Sequence, residues 1–267
     1  MRHGIALAGL LVIAFVWWLL AFHDYQHDAR AYWTADLNHL YDRGRVGGVD
    51  AYLYSPVFAQ LIQPLTWLPW TVFAAVWAGL NLAALTWMAG PGIAAILLVI
   101  PGSPVIDVVS TGNIHLLIAA SLVLALRHAG WWAFPLLTKV TPGVGIAYLL
   151  GSRRWRQLGI ALGVSAALSL VSFAVAPQLW FDWIGVLSSN TDRVIPNEIA
   201  VIPGPVVIRT AVAGLLALVG GFLGWRWTIP VAATIALPVP WSSGLSVLVA
   251  LIAFARHGML MEEQRRT

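Results

Sequence analysis

The chain contains no cysteine and few charged residues, and both features limit the kinds of protein and functional site that it can form. Without cysteine it cannot form disulfides, iron–sulfur clusters, cysteine-bound zinc sites or a thiol nucleophile. Charged residues make up 10% of its 267 residues and hydrophobic residues 60%, whereas soluble domains carry about 25% charged residues. The sequence therefore predicts an integral membrane protein. Its net charge of +4 does not indicate nucleic-acid binding, because the arginines stand at the ends of apolar runs.

Apolar runs recur along the whole chain and predict an all-α polytopic protein with roughly 8–10 membrane segments. The first run, residues 4–22, is too long for a typical signal peptide, and no small-residue cleavage site follows it, so we predict an uncleaved span. Prolines interrupt residues 56–69 and 93–104, which favours short or broken helices there. The other predicted segments are residues 71–89, 116–126, 131–150, 158–176, 206–223, 229–239 and 245–255.

We expect residues 1–267 to form one integral membrane domain. Its predicted parts are a first span at 1–22, a polar loop at 23–55, core spans at 56–157, and C-terminal spans at 158–267 that include a second polar loop at 177–203. The loop at 23–55 holds five of the eleven acids, three of the seven histidines and five of the six tyrosines. This concentration of polar groups favours a reaction site, although a solvated loop between two spans has the same composition.

The charges sort by side of the membrane. If the arginines at the helix ends are cytoplasmic, nine of the fifteen basic residues lie inside and nine of the eleven acids lie outside. The nine arginines are Arg2, Arg127, Arg153, Arg154, Arg156, Arg226, Arg256, Arg265 and Arg266. Cytoplasmic loops of membrane proteins are enriched in basic residues. We therefore predict a multi-pass protein of the cell membrane with both termini in the cytoplasm. Both polar loops and the segment TGNIH at 111–115 are then extracytoplasmic, provided that residues 131–150 form a helical hairpin that returns to the cytoplasm.

Two segments carry polar groups that are unusual within apolar sequence. Lys139, the only lysine, lies between two apolar half-helices, and an ionisable group at membrane depth indicates a functional site. Its alternative role is that of a lysine that snorkels from a helix end. TGNIH opens an apolar helix with Asn113 and His115. Asn113 is otherwise a plain helix cap, and His115 otherwise forms a hydrogen bond within the bundle.

The first polar loop offers a candidate for acid–base chemistry. Asp24 and Asp28 are four residues apart and would share one face of a helix, which Tyr32 extends. An aspartate close to the membrane surface can act as a general base towards an acceptor hydroxyl; a structural or solvated carboxylate is the alternative for each acid. We predict no cofactor and no metal site, because a pair such as Asp24 and His27 is too sparse to hold an ion.

Three stretches together resemble glycosyltransferase family 87, whose members are polytopic mannosyltransferases of the GT-C fold. DARAYW, followed by YSPVFAQLIQPLTWLP, is similar to the family pattern D-x-x-x-Y and Y-P-P … P-L-x-x-L-P. TGNIHLLIAASLVLALR resembles its G-Q-x-N-L-L-L helix, and AGWWAFPLLTKVTPGVGIAYLLGSRRWR resembles its lysine-containing segment that ends in R-R-W. The order and spacing agree over residues 20–157. The chain differs at Ser55, Asn113 and His115, where the family usually has Pro, Gln and Asn.

This resemblance implies a GT-C-like bundle with an extracytoplasmic site. There, a hexose, usually mannose, passes from a polyprenyl-phosphate-linked donor to a lipid or glycan acceptor. By its position Asp28 would be the catalytic base. The other expected site residues bind either the donor and its phosphate, namely Lys139, Asn113, His115 and Arg209, or the substrate, namely Asp24, Tyr32 and Tyr54.

Two other classes of protein stay open. A shortened family member without activity would act as an assembly subunit, and the changes at Ser55 and Asn113 fit that interpretation. A transporter or flippase of lipid-linked sugars would also use broken helices and polar groups near the membrane midplane. However, the sequence shows no internal repeat, and its acids lie in an exterior loop.

Overall fold

The computed structural model describes residues 2–23, 25–48, 50–191 and 200–261. Within these residues the secondary structure is helical, and the only strand-like pairing is a single bridge between Trp225 and Met261. The α-helices of this part are α1 Arg2–Phe22, α2 His27–Trp33, α3 Pro56–Thr66, α4 Trp70–Ala89, α5 Pro91–Val99, α6 Pro104–Thr111, α7 His115–Ala125, α8 Ala133–Thr138, α9 Ala147–Gly151, α10 Trp155–Val175, α11 Pro177–Thr191, α12 Val206–Leu223, α13 Thr228–Ile235 and α14 Val249–Arg256. Three 3-10 helices accompany them: Ala129–Trp132, Thr141–Ile146 and Ser242–Leu248.

In the described part of the chain, four helices are long and apolar enough to cross a membrane, namely α1, α4, α10 and α12. A fifth span is possible if α5 and α6, which meet at an angle of 86°, count as one broken span or a re-entrant pair. The prediction of an all-α polytopic membrane protein is therefore confirmed. The remaining predicted segments are shorter helices, such as α7 and the pieces that surround Lys139.

Prolines and glycines set the helix breaks where the sequence predicted them. α5 begins with Pro91 directly after Gly90, which has a φ of 80°. α6 begins with Pro104, and the Ser103 side chain accepts a hydrogen bond from the Val105 N–H at 3.2 Å. Proline suits the first position of a helix because its missing N–H would have no partner there. The break between these two helices is thus encoded locally.

The chain divides into two compact units, each discontinuous in sequence. The first comprises described residues within 1–86, 90–114 and 166–194, and the second comprises those within 87–89, 115–165 and 195–267. In the first unit α1 packs on α5, and α2 packs on α3 and α6. A Cβ atom at Gly9 would lie 2.5 Å from the Pro91 carbonyl oxygen, so α1 and α5 meet backbone to backbone. The prediction of a single domain stays a prediction.

In the second unit, glycines allow α12 to approach α9 and α13 closely. A Cβ at Gly151 would overlap the carbonyl oxygen of Leu218, and one at Gly221 would overlap that of Tyr148. Gly220 likewise lies against the Thr228 side chain. Helices in membranes commonly pack through small residues in this way, because apolar lipid supplies little hydrophobic drive for association.

Replacing Gly151 by Ala should destabilise the protein, because the added methyl group overlaps the α12 backbone. We expect a loss of about 1–3 kcal/mol in the free energy of unfolding, measured as a lower unfolding temperature in detergent. Gly163→Ala in α10 is the matched control, since no atom lies within 4 Å of an added Cβ there. An equal effect of both substitutions would contradict this packing.

Candidate functional site

Gln26 positions the helix that carries Asp28. It immediately precedes α2, adopts φ 67° and ψ 43°, and is completely buried. Its backbone N–H donates to the carbonyl of Ser110 at 2.7 Å. Its side-chain amide donates to the carbonyls of Leu20 at 3.0 Å and Ala74 at 3.1 Å. Gln26 therefore ties the start of α2 to α1, α4 and the end of α6.

The end of α6 lies directly against α2. Gly112 has a φ of 73°, and a Cβ at this position would lie 2.7 Å from the Cβ of Ala29. The indole N–H of Trp77 donates to the Gly112 carbonyl at 2.6 Å. Two features require glycine at position 112: the left-handed backbone and the close approach of α2. This junction brings the next residue, Asn113, to Asp28.

Asn113 and Asp28 are joined by a short hydrogen bond. Asn113 Nδ2 donates to Asp28 Oδ2 at 2.6 Å, and Asn113 Oδ1 accepts from the Ile114 N–H at 2.8 Å. The other carboxylate oxygen of Asp28 lies 3.7 Å from Nε2 of the exposed His27. Asn113 is buried, whereas the Asp28 side chain keeps 35% of its surface exposed. The amide thus fixes the orientation of a carboxylate that stays accessible to a proton donor.

Tyr32 and Tyr54 lie in the aromatic core of the first unit. Their hydroxyl oxygens are 2.8 Å apart in a hydrogen bond, and Tyr32 is fully buried. The Tyr32 ring centroid lies 5.5 Å from that of Phe58 and 5.1 Å from that of Trp77. Tyr41 adds a hydrogen bond from its hydroxyl to the Tyr54 carbonyl at 2.8 Å. The two tyrosines that the sequence predicts as substrate contacts therefore lie within this aromatic cluster, and their contact with substrate stays a prediction.

These phenols stay neutral over the physiological range. Burial raises the pKa of Tyr32 and of Tyr54, and the negative charge of the nearby Asp28 raises each further. Burial also raises the pKa of Tyr41 and Tyr52. A buried phenolate would lose its hydration without gaining a cation, which is why the neutral form is favoured.

The four raised pKa values predict a loss of stability at high pH. A tyrosine in the unfolded chain ionises near pH 10.0, so the folded state, which holds the proton more tightly, keeps its full advantage below that pH and loses it above. Unfolding followed at increasing pH should therefore coincide with the phenolate absorbance of the buried tyrosines. Tyr25→Phe, at a residue that is 50% exposed, should leave the midpoint unchanged. Ionisation of all tyrosines near pH 10.0 in the folded protein would contradict this burial.

Lys139 lies next to a strained turn in the second unit. Val140 adopts φ 58° and ψ −66°, and the Thr141 N–H donates to the Lys139 carbonyl at 2.7 Å. This is a γ-turn of the rare kind. A β-branched residue in such a conformation costs about 1–3 kcal/mol and persists only where the surrounding structure imposes it. Strain of this kind occurs frequently at functional sites.

The Lys139 ammonium contacts the imidazole of His115 at the start of α7. Nζ lies 2.9 Å from His115 Nε2. A lysine ammonium donates and does not accept, so Nε2 is the acceptor of its bond. His115 is fully buried and Lys139 is half-buried. The pair connects α7 to the hinge between α8 and the following 3-10 helix, and it holds a cation in apolar surroundings.

Arg209 has a structural role. Its guanidinium donates to the carbonyls of Gly204 at 3.0 Å, Ile235 at 2.9 Å, Leu237 at 2.8 Å and Pro238 at 3.1 Å. Four of its five N–H donors are therefore used, three of the contacts at the end of α13. The N–H fork with which an arginine would bind phosphate is directed at these carbonyls in the structure, and the expected contact with the donor phosphate stays a prediction.

The candidate residues thus fall into two groups. The first unit holds Asp28, Asn113, Tyr32 and Tyr54; the second holds His115, Lys139 and Arg209. Asp24 lies outside the described residues. Gln26 is the important residue that sequence reasoning missed, since its role depends on burial and a left-handed backbone that no sequence pattern announces. Among the described residues, no three side chains of the metal-binding types cluster together.

The fold defines the class of protein, a polytopic membrane protein with polar pairs inside its helical units. A family model of glycosyltransferase family 87 matches residues 52–266, and the chain therefore belongs to glycosyltransferase family 87. It is a membrane glycosyltransferase. The matched region includes Asn113, His115, Lys139 and Arg209 and begins after Asp28. No curated protein and no solved structure gave a significant match.

Proposed function

We propose that the protein transfers a hexose, with mannose as the first candidate, from a polyprenyl-phosphate donor to a lipid or glycan acceptor on the extracytoplasmic face of the membrane. Its family supports glycosyl transfer in general. The observation that carries the site is the 2.6 Å hydrogen bond between Asn113 and Asp28. It links the aspartate of the first polar loop to a residue within the family match.

Asp28 acts as the general base in this mechanism. Its carboxylate takes the proton of the acceptor hydroxyl while the hydroxyl oxygen attacks the anomeric carbon of the donor. A new bond from carbon to the acceptor oxygen forms as the bond from carbon to the phosphate oxygen breaks, with inversion at the anomeric carbon. The electron pair leaves with the polyprenyl phosphate. Asn113 holds the carboxylate in one orientation during the step.

The leaving polyprenyl phosphate gains negative charge, which must be stabilised. A positioned cation supplies that stabilisation most effectively where water is excluded. Lys139 is the proposed residue, and its half-buried ammonium, its contact with His115 and the strained turn after it support this assignment. Arg209 has no proposed part in the transfer, because its guanidinium already binds backbone carbonyls.

Asp28→Asn tests the base. Asparagine keeps the shape of the side chain but cannot accept the proton, so transfer from radiolabelled polyprenyl-phosphate-mannose should fall by about 10²–10⁴-fold. The unfolding temperature should stay near that of the wild type. Asp42→Asn is the matched control, since Asp42 is an exposed loop aspartate that contacts His39 at 3.0 Å.

Full transfer by the Asp28→Asn protein would overturn the assignment. The same assay separates the rival classes with the wild-type protein. A stable donor complex without product indicates a non-catalytic assembly subunit. Movement of labelled donor across a vesicle membrane without product indicates a flippase.

Lys139→Met tests the phosphate contact. We expect kcat/KM for the donor to fall by about 10–100-fold, because one charge-assisted hydrogen bond contributes about 1.5–3 kcal/mol. Lys139→Arg keeps the charge and should retain part of the activity. An unchanged kcat/KM in the Lys139→Met protein would contradict the proposed contact.

Val140→Gly tests the strained turn separately from the charge. Glycine adopts a positive φ without strain, so the unfolding temperature should not fall. The turn would hold Lys139 less firmly, and transfer should become slower although the lysine is intact. A less stable but fully active variant would show that the turn does not position Lys139.

A further inference from the structure

One face of α11, Pro177–Thr191, packs on the polar loop of the first unit. With about 3.6 residues per turn, this face carries four residues that are all buried or half-buried: Leu179, Trp183, Val186 and Asn190. Asn190 Nδ2 donates to the Gly44 carbonyl at 2.8 Å, and Asn190 Oδ1 accepts from the Val46 N–H at 3.0 Å. The Trp183 indole N–H donates to the Leu53 carbonyl at 3.2 Å. α11 is therefore firmly attached to the loop that follows α2.

The rest of the α11 surface divides into a polar flank and an apolar flank. The polar flank lies on one side of the packing face and consists of four exposed residues: Gln178, Asp182, Gly185 and Ser189. The apolar flank lies on the other side and includes Phe181 and Ile184, which expose 60% and 57% of their surface. An exposed helix with separate polar and apolar flanks is typical of a membrane surface, where water meets lipid.

The chain turns sharply between α10 and α11. Only Ala176 separates the two helices. The Trp180 indole N–H donates to Ser172 Oγ, eight residues earlier, at 3.1 Å, whereas residues eight apart in a straight helix are separated by about 12 Å along the axis. α11 therefore does not continue the course of α10 away from the membrane. It begins at the depth at which α10, a helix long and apolar enough to be a span, ends.

The apolar flank of α11 continues the exposed apolar surface of α10. The Phe181 ring centroid lies 6.1 Å from that of Phe173 in an edge-to-face arrangement, and Phe173 is itself exposed. Only 11% of the apolar window of α10 is buried within the protein. Leu170 and Val175, close to the end of this helix, are exposed as well. One uninterrupted apolar surface thus runs from the span into α11.

We propose that α11 lies in the interface of the lipid bilayer, with Phe181 and Ile184 among the acyl chains beneath the headgroups and the polar flank in water. The bilayer is the partner because the apolar flank is continuous with a membrane span. An interfacial helix buries its apolar face by about 5–10 Å at this boundary, and tryptophans such as Trp180 and Trp183 are enriched there. Since Asn190 binds the polar loop, the bilayer holds that loop at a fixed depth.

A spin label on a single introduced cysteine tests this position, because the chain contains no cysteine of its own. The label collides with oxygen, which concentrates among acyl chains, or with a water-soluble nickel complex. Phe181→Cys and Ile184→Cys label the apolar flank, and Asp182→Cys and Ser189→Cys label the polar flank. The labelled full-length proteins are placed in phosphatidylcholine nanodiscs, in which the nickel complex reaches both membrane surfaces.

We expect the ratio of oxygen collisions to nickel collisions to be severalfold higher on the apolar flank than on the polar flank. Phe181 and Asp182 are neighbours in the chain, so a difference between them reports which flank faces lipid and not a general displacement of the helix. Leu170→Cys on α10 provides the reference for acyl chains, and Arg43→Cys in the exposed part of the polar loop provides the reference for water. Unfolding temperatures should stay near that of the wild type, because every labelled side chain is exposed.

Four results would overturn the proposal. Frequent nickel collisions on the apolar flank would place it in water, and equal ratios on the two flanks would contradict the interfacial position. Infrequent collisions with both reagents would show that protein covers the apolar flank. Spectral broadening that disappears on dilution with unlabelled protein would identify a second copy of the chain as the cover. Each apolar-flank variant decides the question alone, so a loss of folding in one leaves the test intact.

Discussion

A backbone carbonyl without a partner in an apolar environment costs several kcal/mol, and this chain creates many such carbonyls by interrupting its helices. Side-chain N–H groups satisfy them. The Gln26 amide donates to Leu20 at the end of α1, Arg209 donates around the end of α13, and Arg256 donates to Trp87 and Met88 in the last turn of α4.

Tryptophan contributes in the same way, since Trp33, Trp77 and Trp183 donate to the carbonyls of Leu68, Gly112 and Leu53. Residues that suggest membrane anchors or ligands by composition thus hold the broken helices together.

The candidate site follows from the same requirement. Gln26 joins α1, α4 and α6 at one point, and the helix that starts there has to bring Asp28 against Asn113. The hydroxyls of Tyr32 and Tyr54 bond one another, and the Tyr41 hydroxyl donates to the Tyr54 carbonyl, whereas the Asp28 carboxylate stays accessible. In the second unit, a turn that is unfavourable for valine holds Lys139 beside His115. Rigid packing of this kind positions a few polar groups without a large polar surface.

Family membership and site geometry support different parts of the functional assignment. The family match covers Asn113 and Lys139 but begins after Asp28. The assignment of Asp28 therefore depends on its sequence motif and on its hydrogen bond to Asn113.

The sequence by itself determined the class of protein, the main spans and the helix breaks, because apolar length and the positions of proline and glycine act locally. It also brought out Asn113 and Lys139, which stand within apolar sequence, and Asp28, which the resemblance to the family motif singled out among the acids of a polar loop. Only the tertiary structure decided that Arg209 binds carbonyls, that Tyr32 is fully buried, and that Gln26 holds three helices. The physical reason is that a hydrogen-bond donor takes whichever carbonyl the packed helices leave without a partner. That choice depends on residues far away in the chain, which no local pattern records.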